Sequence, residues 1–208
     1  MNTISKDTKL YGSFSSNPGN NGCIFFNSRF EADGINAIYK SFYSDNIKKS
    51  VVAAKTLNFS GFAISMPFKE KILNLADVID PAAKEIGAAN TVVNNNGFLQ
   101  AYNTDWMGVY NFFKDANLKR VNIIGTGGFA KAIVYAFDKL GMTFSIVTRS
   151  EIPSIDEVSD QYFINATPIE IKSEKNTIFD GRPFVGVGRV IAEFQAEEQY
   201  TIYKKWMK

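Results

Sequence analysis

Residues 121–150 read VNIIGTGGFAKAIVYAFDKLGMTFSIVTRS. An apolar run at 121–124 leads into three closely spaced glycines, Gly125, Gly127 and Gly128. A helical pattern follows, Gly141 closes it, and a second extended run ends at Thr148, Arg149 and Ser150. Strand, glycine-rich turn, helix and strand make one βαβ unit, whose parallel crossover is nearly always right-handed. The turn fits G-x-G-x-x-A over Gly125, Thr126, Gly127, Gly128, Phe129 and Ala130. Glycines in these places permit a tight turn and a close backbone approach to a pyrophosphate seated on a helix N-terminus. Lys131 stands between Ala130 and Ala132, so this is not the phosphate loop of a nucleoside triphosphatase. The end of the second strand selects the cofactor. A site for NAD places an acidic residue there to hold the ribose 2′-hydroxyl. Thr148 and Arg149 instead offer a hydroxyl and a guanidinium, which suit a 2′-phosphate and point to NADP. Glu151 follows directly and works against anion binding.

Upstream, the pattern alternates between helical and extended. A helix is expected from about residue 24 to 31, stopped by Gly34, and a strand over 35–42. Ser44 is expected to cap a helix carrying Ile47, Val51, Ala54 and Leu57. Residues 61–65 read as a buried strand, followed by Pro67 and a helix through Ile72, Leu75 and Val78. Pro81 opens a further helix at its favoured first position. Residues 91–103 read as two strands joined at an Asn-Gly turn, and a helix runs from Asp105 to about 117. Beyond the βαβ unit come a strand at 162–168 and a closing helix at about 189–207. There is no internal repeat and no low-complexity linker, and the junction between domains falls near 103–105.

Composition narrows the chemistry. The 208 residues carry 23 Lys+Arg and 21 Asp+Glu, a net charge of +2, with no histidine and one cysteine, Cys23. Without histidine there is no Ser-His-Asp or Cys-His hydrolase and no imidazole acid or base. One cysteine allows no CxxC pair, thiolate zinc site or internal disulfide, so no metal is expected. Proton transfer falls to Lys, Asp, Glu or Tyr. A charge so near neutral gives no reason to expect nucleic acid or an anionic membrane as partner. No apolar run is long enough to span a bilayer, and MNTISKDTKLYG lacks the apolar stretch of a secretion signal. A cytoplasmic protein is the expectation.

A second constellation joins Ser65, Met66, Pro67, Phe68 and Lys69 with Asn90-Thr91 and Asn103-Thr104-Asp105. It puts a lysine, a carboxylate, amides and hydroxyls at strand ends and helix starts, where an α/β site collects its ligands. A lysine beside a carboxylate can pass a proton to or from a substrate hydroxyl. With these residues in view, the chain resembles the shikimate dehydrogenase family, most closely its dehydrogenase-like branch. GFAISMPFK (61–69) is similar to the family's G-x-N-V-T-x-P-x-K block, GAANTVV (87–93) to G-A-x-N-T, and AYNTDWMG (101–108) to NTD. GTGGFAKA (125–132) is similar to the cofactor loop, VTRS (147–150) to N-R-T, INATPI (164–169) to N-A-T-S/P, and QAEEQY (195–200) to the closing Q-A-x-x-x-F helix.

The resemblance implies an α/β protein: an N-terminal α/β substrate domain, a reduced Rossmann-type NADP-binding domain, and a C-terminal helix packing back on the first domain. The expected bounds are 1–104 with the closing helix 189–208, and 105–188. It implies Lys69 and Asp105 as the catalytic dyad. Ser65, Asn90 and Gln195 would hold the polyol and carboxylate of the substrate. Gly125, Thr126, Gly127, Gly128, Phe129, Ala130, Thr148 and Arg149, with Asn165, Ala166 and Thr167, would hold NADP. The reaction implied is reduction of 3-dehydroshikimate, or of a related cyclic polyol ketone, in the aromatic amino-acid precursor pathway. Partners are then the small-molecule substrate alone, in a monomer or homodimer.

Three departures stand against that pattern. The family's carboxylate-binding S-x-S-P segment lies just before a His-Asn pair, whose histidine is Phe26 here. Counting back without a gap gives Asn20 and Gly22, whereas a longer loop gives Ser13 and Ser15, the register preferred. Ala63 replaces the asparagine of N-V-T. Only about a dozen residues separate Arg149 from the next strand, too few for a full helix–strand–helix excursion, and the family's V-Y-x-P-x-x-T-P-L-L segment has no counterpart. Two readings follow: an NADP-dependent oxidoreductase, or a ligand-binding protein of the same fold with a degenerate cofactor half.

Overall fold

A computed structural model describes residues 4–207. Residues 1–3, part of the stretch read for a secretion signal, and residue 208, the last of the expected closing helix, lie outside it. The chain divides into two compact units, one formed by residues up to Asn103 and from Gln199 onward, the other by residues 104–198.

The first unit runs β1 (Lys9–Ser15), α1 (Asn21–Ala32), β2 (Ala37–Tyr43), α2 (Ile47–Thr56), β3 (Phe59–Ile64), β4 (Val78–Ile79), α3 (Pro81–Ile86), β5 (Thr91–Asn95) and β6 (Phe98–Tyr102). Its sheet has the order β2-β1-β3-β5-β6-β4. The β1 pairs with β2 and β3 are parallel, while β3–β5 and β5–β6 are antiparallel. The hairpin turns at Asn96 (φ 52°) and Gly97 (φ 91°), the two positive angles of a primed turn, and the Asn94 side chain accepts the Gly97 N–H. Asp80 caps α3 ahead of Pro81.

Several elements differ from the sequence reading. β1 is a strand inside the sheet that was not expected, because KLYGSFS carries a glycine and two serines, poor strand formers. The glycine is needed there: a Cβ on Gly12 would stand 2.6 Å from the Lys40 carbonyl oxygen. Asn46, not Ser44, caps α2 by accepting the Lys49 N–H; the Ser44 hydroxyl bonds Ser50 instead. The helix expected through Ile72, Leu75 and Val78 is a 3-10 turn at Lys71–Leu75 followed by β4. Asp77 explains the stop: its backbone N–H bonds the Leu99 carbonyl and its carboxylate accepts the Leu99 N–H, which pulls the chain into the sheet edge.

One face of this sheet packs Phe14, Phe62, Ile64, Val92 and Leu99 against Val51 and Ala54 of α2 and Ala83 of α3. The other face carries aromatic rings. Phe26 of α1 stacks on Tyr39 of β2 at 4.5 Å between centroids, and Tyr203, from the closing helix, lies 4.8 Å from Tyr11 of β1. Gly61 makes room for this, since a Cβ there would meet the Tyr203 ring at 2.7 Å. Asp33, just past α1, accepts hydrogen bonds from Lys204 Nζ (2.6 Å) and the Tyr200 hydroxyl (2.9 Å).

Those two bonds, the lysine first, hold the Asp33 carboxyl below the ordinary carboxylate range. A carboxyl depressed in the folded state stabilises above its unfolded pKa, and the contribution is lost as pH falls through the folded value. Acidification below the usual carboxyl range is therefore expected to lower the melting temperature. In Asp33→Asn, melted over the same pH series, that acid-side fall should be smaller.

The second unit holds α4 (Asp105–Phe113), β7 (Asn122–Ile124), α5 (Gly128–Leu140), β8 (Ile146–Val147), β9 (Tyr162–Asn165), β10 (Thr177–Asp180) and most of α6 (Gly186–Lys205). Its sheet is wholly parallel, in the order β10-β9-β7-β8. The short β10 was not expected, and α6 begins at Gly186, earlier than its apolar pattern suggested. Ile123 and Ile164 face α4 and α5, against Val109, Phe113, Ile133 and Phe137. Ile124 and Phe163 face the other way, onto Ile155 and Ile171. That second face is covered by a short 3-10 turn, Ile152–Glu157, and among the described residues no α-helix lies between β8 and β10. No helix among the described residues is long and apolar enough to cross a membrane.

Candidate functional site

In the first unit, polar side chains gather at one end of the sheet. β1 and β3 are parallel, with Phe14 opposite Ile64, so Ser15 and Ser65 leave at the same edge. The Ser65 N–H bonds the Phe14 carbonyl, and the Ser16 N–H bonds that of Met66. Asn90 bridges strands at this end: its carbonyl accepts the Ile64 N–H at 2.7 Å and its N–H donates to Tyr102 at 3.0 Å. The Asn90 side chain is buried and accepts the Thr91 hydroxyl at 2.9 Å. Asn103, also buried, donates its side-chain amide to the Ala88 carbonyl. Lys69 is half-buried in the turn after Pro67, its carbonyl receiving the Ala89 N–H at 2.8 Å. Buried amides tolerate this setting because they are paired.

Ser13 and Ser15 point to the face of β1 that bears Tyr11, since alternate residues share a face. The Ser13 hydroxyl bonds the Tyr39 phenol, whose burial raises it well above its ordinary pKa, and Ser15 is buried at the strand end. The ungapped register gives Asn20, exposed at the N-cap of α1, and Gly22, packed against the Tyr39 ring. Phe26 belongs to the core. Asp105, in the second unit, is buried in the first turn of α4. On the same helix, Gly108 faces Gln195 of α6, whose Cβ lies 3.0 Å from where a Gly108 Cβ would be.

The second unit offers a cradle at its switch point. β8 lies on one side of β7 and β9 on the other, which makes the carboxyl ends of β7 and β9 the switch point where an open α/β sheet takes its ligands. Gly125 ends β7 at φ 113°, a conformation suited to glycine, with Thr167 and Ala166 beside it. Gly127 is the N-cap of α5; it contributes no side-chain cap, and nothing lies within 4 Å of where its Cβ would be. Thr126 and Gly127 are exposed, Gly128 and Phe129 half-buried, and Ala130 packs in the core. Open backbone at a helix N-terminus fits a pyrophosphate. Asn165 is fully buried and fixes the neighbouring loop: its side chain accepts the Thr167 N–H and hydroxyl and donates to the Ile169 carbonyl. Ala166 donates its N–H to Ile124. Thr148 and Arg149 are exposed just past β8.

Sequence reasoning missed Tyr39, the partner of Ser13, and the engagement of Glu151 with Thr148. The second was readable, because T-x-x-E is the spacing of a capping box.

A mixed-sheet unit gathering buried amides, followed by a wholly parallel unit with a glycine loop at its switch point, defines a two-unit α/β protein with a Rossmann-like second half. Residues 22–92 match the family described as shikimate dehydrogenase substrate binding domain. The chain is 41% identical over 141 residues to a shikimate dehydrogenase-like protein of Haemophilus influenzae, covering 66% of this chain and 52% of that one. It is 31% identical over 198 residues to the NADP(+) shikimate dehydrogenase of Pyrococcus furiosus, covering 84% of this chain and 72% of that one. The solved structure of shikimate dehydrogenase from Aquifex aeolicus matches with a TM-score of 0.81 at 25% identity, covering 97% of this chain and 94% of that one. Across several of the curated relatives it matches, the chain spans about half to two thirds of their length, 47% to 66%. The chain belongs to the shikimate dehydrogenase family.

Proposed function

We propose that the protein is an NADP-dependent oxidoreductase that interconverts 3-dehydroshikimate, or a related cyclic polyol ketone, and its alcohol. The observation that carries this reading is the gathering of Ser15, Ser65, Lys69, Asn90 and Asn103 at one sheet end of a chain that also bears an open glycine cradle. In this reading Ser13, Ser15, Ser65, Asn90 and Gln195 bind the hydroxyls and carboxylate of the substrate. Lys69 gives a proton to the carbonyl oxygen as it becomes a hydroxyl and takes one back in the reverse direction. Asp105 is the carboxylate that the family resemblance assigns to the dyad. The nicotinamide, when bound, supplies or accepts the hydride. The glycine loop takes the pyrophosphate, Asn165 keeps Ala166 and Thr167 beside it, and Arg149 with Thr148 meets the 2′-phosphate.

Two measurements test the proposal. Oxidation of shikimate with NADP, followed by the absorbance of reduced nicotinamide, should give a saturable rate. A protein with no rate across a panel of cyclic polyol acids would sink it. Arg149→Ala should weaken NADP binding by about tenfold in calorimetry, the loss of one charge-assisted contact, and leave NAD binding nearly unchanged.

A second reading, a binding protein without turnover, is favoured by the thin second face of the parallel sheet, where among the described residues a 3-10 turn and the segment carrying Ile171 stand in place of an α-helix. It predicts heat on adding shikimate and none on adding NADP.

A further inference from the structure

Thr148 is the first residue past β8, the second strand of the βαβ unit. A dinucleotide in a fold of this kind presents the 2′ position of its adenosine ribose to the end of that strand. Two of the donors there are already in use. The Thr148 N–H donates to Glu151 Oε2 at 2.8 Å, and the Thr148 hydroxyl donates to the same oxygen at 2.5 Å. The Ser150 hydroxyl lies 3.0 Å from that of Thr148. Among the described residues no ion pair joins Arg149 to Glu151, so the carboxylate is held by the strand end and not by the neighbouring guanidinium.

We infer that Glu151 is a specificity-determining residue of the cofactor site: its carboxylate sits where a 2′-phosphate would bind and narrows the preference for NADP over NAD. The inference rests on the reading of the second unit as a dinucleotide site. The physical reason is competition between anions. A 2′-phosphate can use the Thr148 donors only after Glu151 swings away, and it then stays close to a like charge. A 2′-hydroxyl meets no such conflict, because it can donate to the carboxylate as it does in NAD-selective sites. Arg149 favours the phosphate and Glu151 opposes it, two residues apart, so the margin between the two cofactors is small. The Thr148 bonds hold the Glu151 carboxyl below its ordinary range, which keeps it an anion throughout the neutral region.

The bland account of the same bonds is a local turn in which Glu151 merely ties the strand end down ahead of the 3-10 turn. Glu151→Gln separates the two, since an amide oxygen still accepts from Thr148 while the charge is gone. The experiment is calorimetric titration of the native chain and Glu151→Gln with ADP-ribose and with 2′-phospho-ADP-ribose, neither of which can react. The expected result is about a tenfold gain in affinity for the phosphorylated ligand in the variant. The affinity for ADP-ribose should change by less than about threefold. Equal shifts for both ligands, or none, while both bind, overturn the role of Glu151 and leave the dinucleotide site standing. If neither ligand binds either protein, the cofactor reading falls and the inference falls with it.

Discussion

Lys69→Ala is expected to lower kcat for shikimate oxidation by about a hundredfold to ten-thousandfold, the usual worth of a positioned general acid or base. Histidine is absent from the chain, so no imidazole stands ready to substitute. The turn that carries Lys69 is held by backbone, through its carbonyl and the Ala89 N–H at 2.8 Å. Truncating the side chain leaves that bond intact. The melting temperature and the affinity for 2′-phospho-ADP-ribose should therefore stay near the native values while turnover collapses. Lys69→Arg should not rescue the rate, because a guanidinium releases its proton far less readily than an ammonium. Steady-state assays beside thermal melts check this. A Lys69→Ala protein that turns over as fast as the native chain would remove the lysine from the mechanism.

Gly108→Ala is expected to destabilise the protein by about 3 kcal/mol, the upper end of ordinary overpacking. On an open helix surface the same change would help, because alanine is a better helix former than glycine by about 1 kcal/mol. Here the sign reverses. The added methyl would stand 2.6 Å from the Ile191 carbonyl oxygen and 3.1 Å from the Gln195 nitrogen, both backbone atoms of α6 that cannot rotate aside. α4 and α6 would have to separate. For a chain of this size the loss corresponds to roughly 2–4 °C of melting temperature per kcal/mol. The substrate KM should rise as well, since Gln195 moves with the helix. A melting temperature that rises on substitution would contradict the close approach of α4 and α6.

The features most legible in the sequence were those whose signal is local. The Asn96-Gly97 turn, the Asp80-Pro81 helix start and the glycine loop at 125–128 each announce their backbone conformation by residue type. Gly12 shows the opposite case. In sequence it weakens a strand, and only the approach of the Lys40 carbonyl across the sheet explains why a glycine must be there. Gly108 is similar, since nothing within α4 reveals that α6 lies against it. β4 replaced an expected helix because Asp77 bonds Leu99, a partner 22 residues away that periodicity cannot see. Among the candidate residues, Asn90 and Asn103 were legible as strand-end residues, while Lys69 lies in the turn beyond β3. The engagement of Ser13 by Tyr39 pairs side chains of two different strands, which no local pattern encodes, whereas that of Thr148 by Glu151 is local and its T-x-x-E spacing was readable in the sequence.

The place of Tyr203 bears on how the molecule is made. Its ring is fully buried between Tyr11, Phe26 and the bare backbone of Gly61, all contributed by the first hundred residues. A ribosome delivers those residues early and Tyr203 only after the whole of the 104–198 unit has been synthesised. Until then the first unit has a strand surface with an aromatic groove and nothing to fill it. The second unit is a continuous segment with no such debt to later sequence. Vectorial synthesis therefore leaves this face of the first unit incomplete until the last turns of α6 have emerged.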